Sequence, residues 1–191
     1  AGFSIVTYTG TGSAGTIAHG LGATPKIIIQ KNRDEDQPWW TYVEYIGSGG
    51  QLRLNGTNAV GSDGGVLWNS TAPTSTVFSV GDNTGANGSA DKCIAYCLAE
   101  KKGYSKFGGF RGNANADGAF VYTGFKPAWL MIKNIGASGT GYHWYIWDNK
   151  RDTINVVDNT LHADQANAEN TFDQDIDFVS NGFKLRGAGV G

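Results

Sequence analysis

The sequence is short of the residues that mark disulfide scaffolds, metal centres and most enzymes. It has only two cysteines in 191 residues, too few for a disulfide-stapled scaffold. Cys93 and Cys97 lie four apart in a strand-like stretch, which separates their Cα atoms by roughly 13 Å and puts a bridge out of reach. They are expected to be small buried side chains facing one side. Three histidines leave little from which to build a metal site, and no metal or cofactor is expected. Four prolines and no Gly-X-Y period exclude collagen. No run approaches 18 apolar residues, so membrane insertion is not expected. Ala1-Gly2-Phe3 shows neither a basic n-region nor an apolar h-region, so no signal peptide is expected. A net charge of −2 argues against general nucleic-acid binding, which needs a basic face. There is no Gly-x-Ser-x-Gly elbow, P-loop or dinucleotide fingerprint.

The chain does contain a long internal repeat. Gly20-Leu21-Gly22-Ala23-Thr24-Pro25-Lys26-Ile27-Ile28-Ile29-Gln30-Lys31-Asn32 returns as Gly124-Phe125-Lys126-Pro127-Ala128-Trp129-Leu130-Met131-Ile132-Lys133-Asn134, and the two prolines are 102 residues apart. Solenoid units run only about 20–50 residues, so a period of this length predicts two copies of a whole domain. The expected domains are 1–102 and 103–191, joined at Lys101-Lys102-Gly103. The aromatic stretch Trp39-Trp40-Thr41-Tyr42-Val43 parallels Trp144-Tyr145-Ile146-Trp147. More loosely, Leu52 to Asn55 parallels Ile154 to Val157, and Val77 to Val80 parallels Asp177 to Ser180.

Helical periodicity is almost absent, whereas 29 glycines and 12% aromatics punctuate short apolar runs in the manner of β structure. The predicted fold class is all-β: two tandem β-sandwich-like domains related by an internal repeat of about 102 residues. Ile27-Ile28-Ile29 and Leu130-Met131-Ile132 read as central strands, apolar on both faces. Predicted strands include Lys106 to Phe110 and Ile154 to Val157, and Asn181-Gly182 signals a hairpin. The first copy closes with the strand Lys92 to Glu100, and nothing equivalent follows Gly187-Ala188-Gly189-Val190-Gly191. The second copy is therefore expected to lack its final strand. Either the chain is a fragment, or that strand comes from elsewhere, such as a neighbouring subunit.

Six tryptophans are the first functional candidates, because aromatic faces stack on sugars and carry binding hot spots. The competing role is core packing. Trp39 and Trp40 are adjacent in a strand and point to opposite faces, and so should Trp144 and Trp147. Acidic residues cluster at Asp34-Glu35-Asp36 and at Asp173, Asp175 and Asp177. A glycosidase needs two carboxyls about 5–10 Å apart across a cleft, but an exposed loop and a solvated strand edge account for these better. Asp82 to Asp91 is rich in oxygen donors without the EF-hand spacing, and a Gly-rich hairpin loop is expected there. His19 is expected to be a hydrogen-bonded turn residue, since the second copy has Thr123 in that turn.

Several motifs are long enough to suggest a family. They are Phe3-Ser4-Ile5-Val6-Thr7-Tyr8-Thr9-Gly10, Ile17-Ala18-His19-Gly20-Leu21-Gly22, Lys31-Asn32-Arg33, Ile94-Ala95-Tyr96-Cys97, Phe120 to Trp129 and Ser180 to Arg186. Together they resemble a duplicated domain in virion proteins of tailed phages, especially marine phages, found in tail-fibre and appendage proteins. The resemblance covers essentially the whole chain. That domain usually closes its second copy with a strand like Lys92 to Glu100, from which this sequence departs. The resemblance implies no catalytic residues. It implies a non-enzymatic structural or adhesion module located on the extracellular virion, with other virion proteins as partners. The expected partner at the bacterial surface is a host glycan, bound weakly and repeatedly through avidity. The candidate ligand-binding residues are Trp39, Trp68 and Trp147, with Asp34 and Asp36 as polar partners. Homo-oligomerisation is expected, with a trimer favoured and open-ended assembly possible. The alternatives are a purely structural spacer, decoration or filament subunit and, less favoured, a polysaccharide depolymerase.

Overall fold

A computed structural model describes residues 2–187, and the side chains of all of these except 172–174. The described residues are nearly all β, built into antiparallel sheets with a single helical turn among them. It divides into two compact units, Ala1–Lys101 and Lys102–Gly191.

The first unit contains β1 (Phe3–Thr9), β2 (Gly15–Ala18), β3 (Ile27–Asn32), β4 (Trp40–Val43), β5 (Gly50–Arg53), β6 (Gly61–Ser62), β7 (Val77–Val80), the helical turn α1 (Thr84–Asn87) and β8 (Lys92–Leu98). Six strands form one sheet in the order β1-β8-β3-β4-β5-β6, and β2 pairs with β7 in a second. The alternation of β8 explains its central place. Cys93, Ala95 and Cys97 are fully buried on its inner face, and their small size lets the second sheet approach. Ile28, Tyr42, Ala95 and Cys97 of the large sheet share one core cluster with Phe78 and Val80 of β7, and Ile17 of β2 packs against it. A two-sheet arrangement around one core follows.

The segment expected to be a Gly-rich hairpin loop, 82–91, instead carries α1. Asn83 caps it, its Oδ1 accepting from the Gly85 N–H at 2.8 Å. Inside the unit the carbonyls of this segment serve as acceptors. Ala86 O receives the Tyr8 hydroxyl at 2.6 Å and Gln30 Nε2 at 3.0 Å, and Thr84 O receives Asn32 Nδ2 at 3.0 Å. The oxygen-rich segment is therefore an internal brace, which gives the buried side-chain NH2 groups of Gln30 and Asn32 in β3 their acceptors.

The second unit contains β9 (Phe120–Tyr122), β10 (Trp129–Lys133), β11 (Trp144–Asp148), β12 (Val157–His162), β13 (Asn170–Val179) and β14 (Gly182–Leu185). These form one sheet in the order β10-β11-β12-β13-β14-β9. Residues near both ends of that order share a core: Trp147, Val157, Ile176, Phe178, Phe183 and Leu185 cluster together, with Leu130, Ile132 and Val121 against them. The predicted hairpin forms around Ser180-Asn181, with Val179 opposite Gly182. Glycine is required at 182 because a Cβ there would overlap the Val121 carbonyl.

Two expected strands differ. Residues 106–110 form no strand; Phe110 is held instead by its ring, edge-on to Phe183 at 5.9 Å. The strand expected at Ile154–Val157 begins only at Val157. Before it, Asn155 takes up the Phe178 backbone with its side chain, accepting from N–H at 3.0 Å and donating to C=O at 3.1 Å. A side-chain bridge replaces the ladder there, and Ile154 is left exposed.

Candidate functional site

The first unit presents an open apolar sheet face. The ladder registers place Ile5, Tyr96 and Ile29 in one cross-strand row, with Phe3, Leu98 and Ile27 in the row beside it. Both rows lie on the side of the sheet away from Cys93, Ala95 and Cys97. Phe3 and Ile5 are about half exposed, and Ile27, Ile29, Tyr96 and Leu98 are partly so. The Tyr96 ring lies nearly parallel to Phe3 at 6.4 Å and to Trp39 at 6.3 Å. Phe3, Tyr96 and Trp39 thus form an aromatic strip drawn from β1, β8 and the residue preceding β4. Contiguous exposed apolar area of this kind marks a contact surface on a folded domain.

Three of the five expected ligand-binding residues belong to this part of the molecule. Trp39 is half-buried in the strip, and its N–H donates to Asn55 Oδ1 at 3.0 Å. Asp34 and Asp36 are exposed in the loop before it. Asp34 is already engaged: its Oδ2 accepts the Lys92 N–H at 2.7 Å and ties the loop to the start of β8. Lys31 anchors the same loop, its Nζ donating to the Glu35 and Gln37 carbonyls at 2.8 Å each.

The other two candidates are corrected by burial. Trp68 is 2% exposed and packs edge-on to Tyr42 at 5.7 Å. Trp147 is fully buried beside Tyr145. Neither can offer a ring face to a ligand. Trp68 sits beneath the inner face of the first unit, and Trp147 faces inward because Leu130, its partner across the ladder, packs against the core.

Phe3, Ile5 and Tyr96 were not singled out from sequence, although a signal existed. In β8 the small set Cys93, Ala95, Cys97 alternates with the large set Ile94, Tyr96, Leu98, a pattern for a strand covered on both faces. The structure covers only the small-residue face.

A polar cluster in the second unit also escaped notice. His143 Nδ1 lies 2.8 Å from Asp164 Oδ2, and the His143 and His162 rings stack at 4.6 Å. Gln165 spans the two rings, its amide nitrogen 3.1 Å from His143 Nε2 and its oxygen 2.9 Å from His162 Nδ1. With the amide donating to His143 Nε2, His143 donates from Nδ1 to Asp164 and His162 donates from Nδ1 to the Gln165 oxygen. A His–Asp pair can assist a nucleophile only through Nε2, and Gln165 occupies that position on His143. The cluster therefore reads as a brace for the start of β11, where Asp164 also accepts the Trp144 N–H at 3.1 Å.

The remaining titratable residues are spoken for or dispersed. His19 is buried, with Nε2 3.1 Å from the Thr74 carbonyl and Nδ1 accepting the Leu21 N–H. Asp177 pairs with Arg186, while the Asp173 side chain lies outside those described. Burial pushes the Cys97 thiol up to about 11, partly offset by Ser4, and burial raises that of Cys93, so both are poor nucleophiles. Among the described residues no group of three His, Cys, Asp or Glu could hold a metal ion. A depression of about 280 Å³ is lined by Asp152 and Asn155 together with the apolar Ile154, Val157 and Phe178, and Asp152 already receives the N–H groups of Asp158 and Asn159. No helix among the described residues is long and apolar enough to cross a membrane.

No curated protein and no solved structure matches the chain. A family profile described as "Domain of unknown function (DUF7483)" matches residues 1–190, and the chain belongs to that family.

Proposed function

We propose that this family member is a non-enzymatic structural and adhesion module of the tailed-phage appendage kind that its motifs resemble, acting through the outer face of its first unit. The observation that carries the proposal is the aromatic strip Phe3–Tyr96–Trp39 on an open sheet face. It offers broad, shallow contact. The ligand class is a host surface glycan, whose apolar sugar faces stack on aromatic rings while Asp36 and neighbouring loop carbonyls supply hydrogen bonds. Weak single sites become effective when several copies act together, by about 10²–10⁴-fold. A second reading, subunit packing in a fibre or filament, is favoured by Ile5, Ile27, Ile29 and Leu98, aliphatic neighbours that a glycan does not need.

We also propose that 1–102 and 103–191 are two copies of one sandwich-like domain. The ladder registers support this. Ile27 opposite Val43 and Gln30 opposite Trp40 in the first unit match Trp129 opposite Asp148 and Ile132 opposite Tyr145 in the second. Each turn before the shared proline also contains a glycine at positive φ, Gly20 at 67° and Gly124 at 84°. The correspondence reassigns two segments. β5 answers Leu161-His162, because Trp40 faces Arg53 as Tyr145 faces His162. β7 answers β14, since these are the partners of β2 and β9.

The test is a multimerised chain on glycan arrays, with light scattering of the free chain in parallel. Adhesion predicts glycan binding that Trp39→Ala reduces at least tenfold with unchanged melting. Subunit packing predicts instead a discrete or open-ended assembly that Ile5→Asn dissociates. A monodisperse monomer that binds no glycan would sink both readings.

A further inference from the structure

We propose that the glycan bound by the first unit is acidic, and that an anionic substituent on it, a carboxylate or a sulfate ester, seats between Arg33 and Lys92. This rests on the reading of the outer sheet face as a glycan-binding surface and adds the charge of the ligand to it.

The ladder places a second feature on that face. Beyond Ile5 opposite Tyr96 come Thr7 opposite Ile94 and Thr9 opposite Lys92. On the other side of β8, Ile29 opposite Tyr96 is followed by Lys31 opposite Ile94. The Arg33 N–H then continues the ladder to the Lys92 carbonyl at 2.8 Å. Alternation therefore sets Thr7, Thr9, Arg33 and Lys92 on the same side as the aromatic strip. Lys92 is four residues from Tyr96, about 13 Å along β8, so one extended ligand can reach both.

These four side chains surround a depression of about 220 Å³, with Tyr8 and Cys93 as the rest of its lining. The polar ends of Tyr8 and Cys93 point the other way, both to the Ala86 carbonyl, so the backbone of those residues forms the floor. The depression is smaller than the roughly 300–1,000 Å³ of pockets that enclose a drug-sized ligand, and its size suits one substituent of a sugar chain.

Its lining carries two cations and no carboxylate. Lys26 on the same sheet is paired with Glu44, and Lys31 is held by the Glu35 and Gln37 carbonyls. Among the described residues the Arg33 guanidinium and the Lys92 ammonium have no such partner. The carboxylates adjoining them in sequence are engaged elsewhere: Asp34 Oδ2 accepts the Lys92 N–H and Asp91 Oδ2 accepts from Asn32 Nδ2, each at 2.7 Å. One solvated cation would be ordinary. Two at a single hollow, beside the exposed threonines 7 and 9, match an anion on a hydroxylated ligand. The guanidinium offers a planar fork to its oxygens, the ammonium adds a point charge, and the hydroxyls can donate to or accept from flanking sugar hydroxyls.

The experiment probes the multimerised whole chain with oligogalacturonate, with its methyl ester, which keeps the rings and removes the charge, and with a sulfated galacto-oligosaccharide. At least one acidic probe should bind tenfold or more tighter than the ester, and the preference should shrink as salt is raised. The probe that binds names the anion. Arg33→Gln and Lys92→Gln should each cut the preference roughly tenfold, the scale of one charge-assisted contact, with unchanged melting. Arg33→Lys, which keeps the charge and loses the fork, should fall between. Equal binding of acid and ester, or a preference that survives Arg33→Gln combined with Lys92→Gln, overturns the acidic-ligand proposal and leaves the adhesion reading standing. No binding of either acidic probe overturns it as well, and the adhesion reading is then judged separately by the neutral glycans of the array and by Trp39→Ala.

Discussion

β3 and β10 are nearly the same strand in different company. Both follow a glycine turn and a buried proline, both begin with a run of apolar residues, and both pair with a tryptophan-bearing strand in one register. Yet Ile28 is fully buried and Leu130, like its neighbours in β10, is not. Burial of a strand is conferred by its neighbours. An apolar run records only the capacity to be covered, and β8 converts that capacity into a closed core in one unit alone. The polar interiors differ as well. The first unit hangs Gln30 and Asn32 on the carbonyls of α1, while the second clamps His143 and His162 through Asp164 and Gln165.

The largest effects that would break this comparison lie in the cores. Trp147→Ala and Trp68→Ala should each cost about 3–5 kcal/mol, read by urea unfolding with probes in each unit. Trp147→Ala should unfold the second unit first, because Trp147 is a fully buried member of that unit's core cluster. A second unit that keeps its midpoint would show that its core does not depend on Trp147.

A smaller contrast is expected in pH dependence. Burial raises the Cys97 thiol to about 11 and also raises Cys93 and the Tyr8 hydroxyl. The folded first unit therefore holds protons that the unfolded chain releases from about pH 9 upward. Its stability is complete below that pH and declines as pH rises toward 11. In the second unit burial works to raise Asp148, but N–H donation from Lys150 and Arg151 and the Arg151 guanidinium outweigh it and lower the group. That contribution is present above about pH 4 and is lost as pH falls below it. Urea midpoints from pH 2.5 to 11 should show an alkaline loss in the first unit, flattened by Cys93→Ala with Cys97→Ala. They should also show an acid loss in the second unit, flattened by Asp148→Asn.

The smallest effect concerns the matched pairs on β5 and β12. Arg53 lies over the Trp40 ring at 5.1 Å, and His162 meets Tyr145 edge-on at 4.9 Å. Arg53→Ala should cost about 0.5–1 kcal/mol, and Arg53→Lys should recover part of it. His162→Ala should cost more, since it also leaves Gln165 without one of its partners. Equal costs would mean that the polar cluster adds nothing to ring packing.

Much of the fold was legible because strands announce themselves through alternation and turns through glycine and proline. The inward pointing of Trp147 was not legible. Trp144 and Trp147 lie on opposite sides of β11, and only the pairing of Trp147 with Leu130 says which side is core. Trp68 offered no periodicity to read, being in a turn segment held by Asp63. The His143–Asp164 cluster joins residues 21 apart through a ladder that neither histidine signals. α1 was hidden because its stability comes from the acceptors it offers to β3 and not from helical propensity.

By itself the sequence determined the β character and the small-side alternation of β8, because these depend on local sterics and on which faces can tolerate water. The tertiary structure alone decided which apolar face is covered. That choice put Phe3, Tyr96 and Trp39 at the surface and sent Trp68 and Trp147 inside. The reason is that burial is a property of pairs of surfaces, and a strand's own residues do not name the strand or sheet that will meet them.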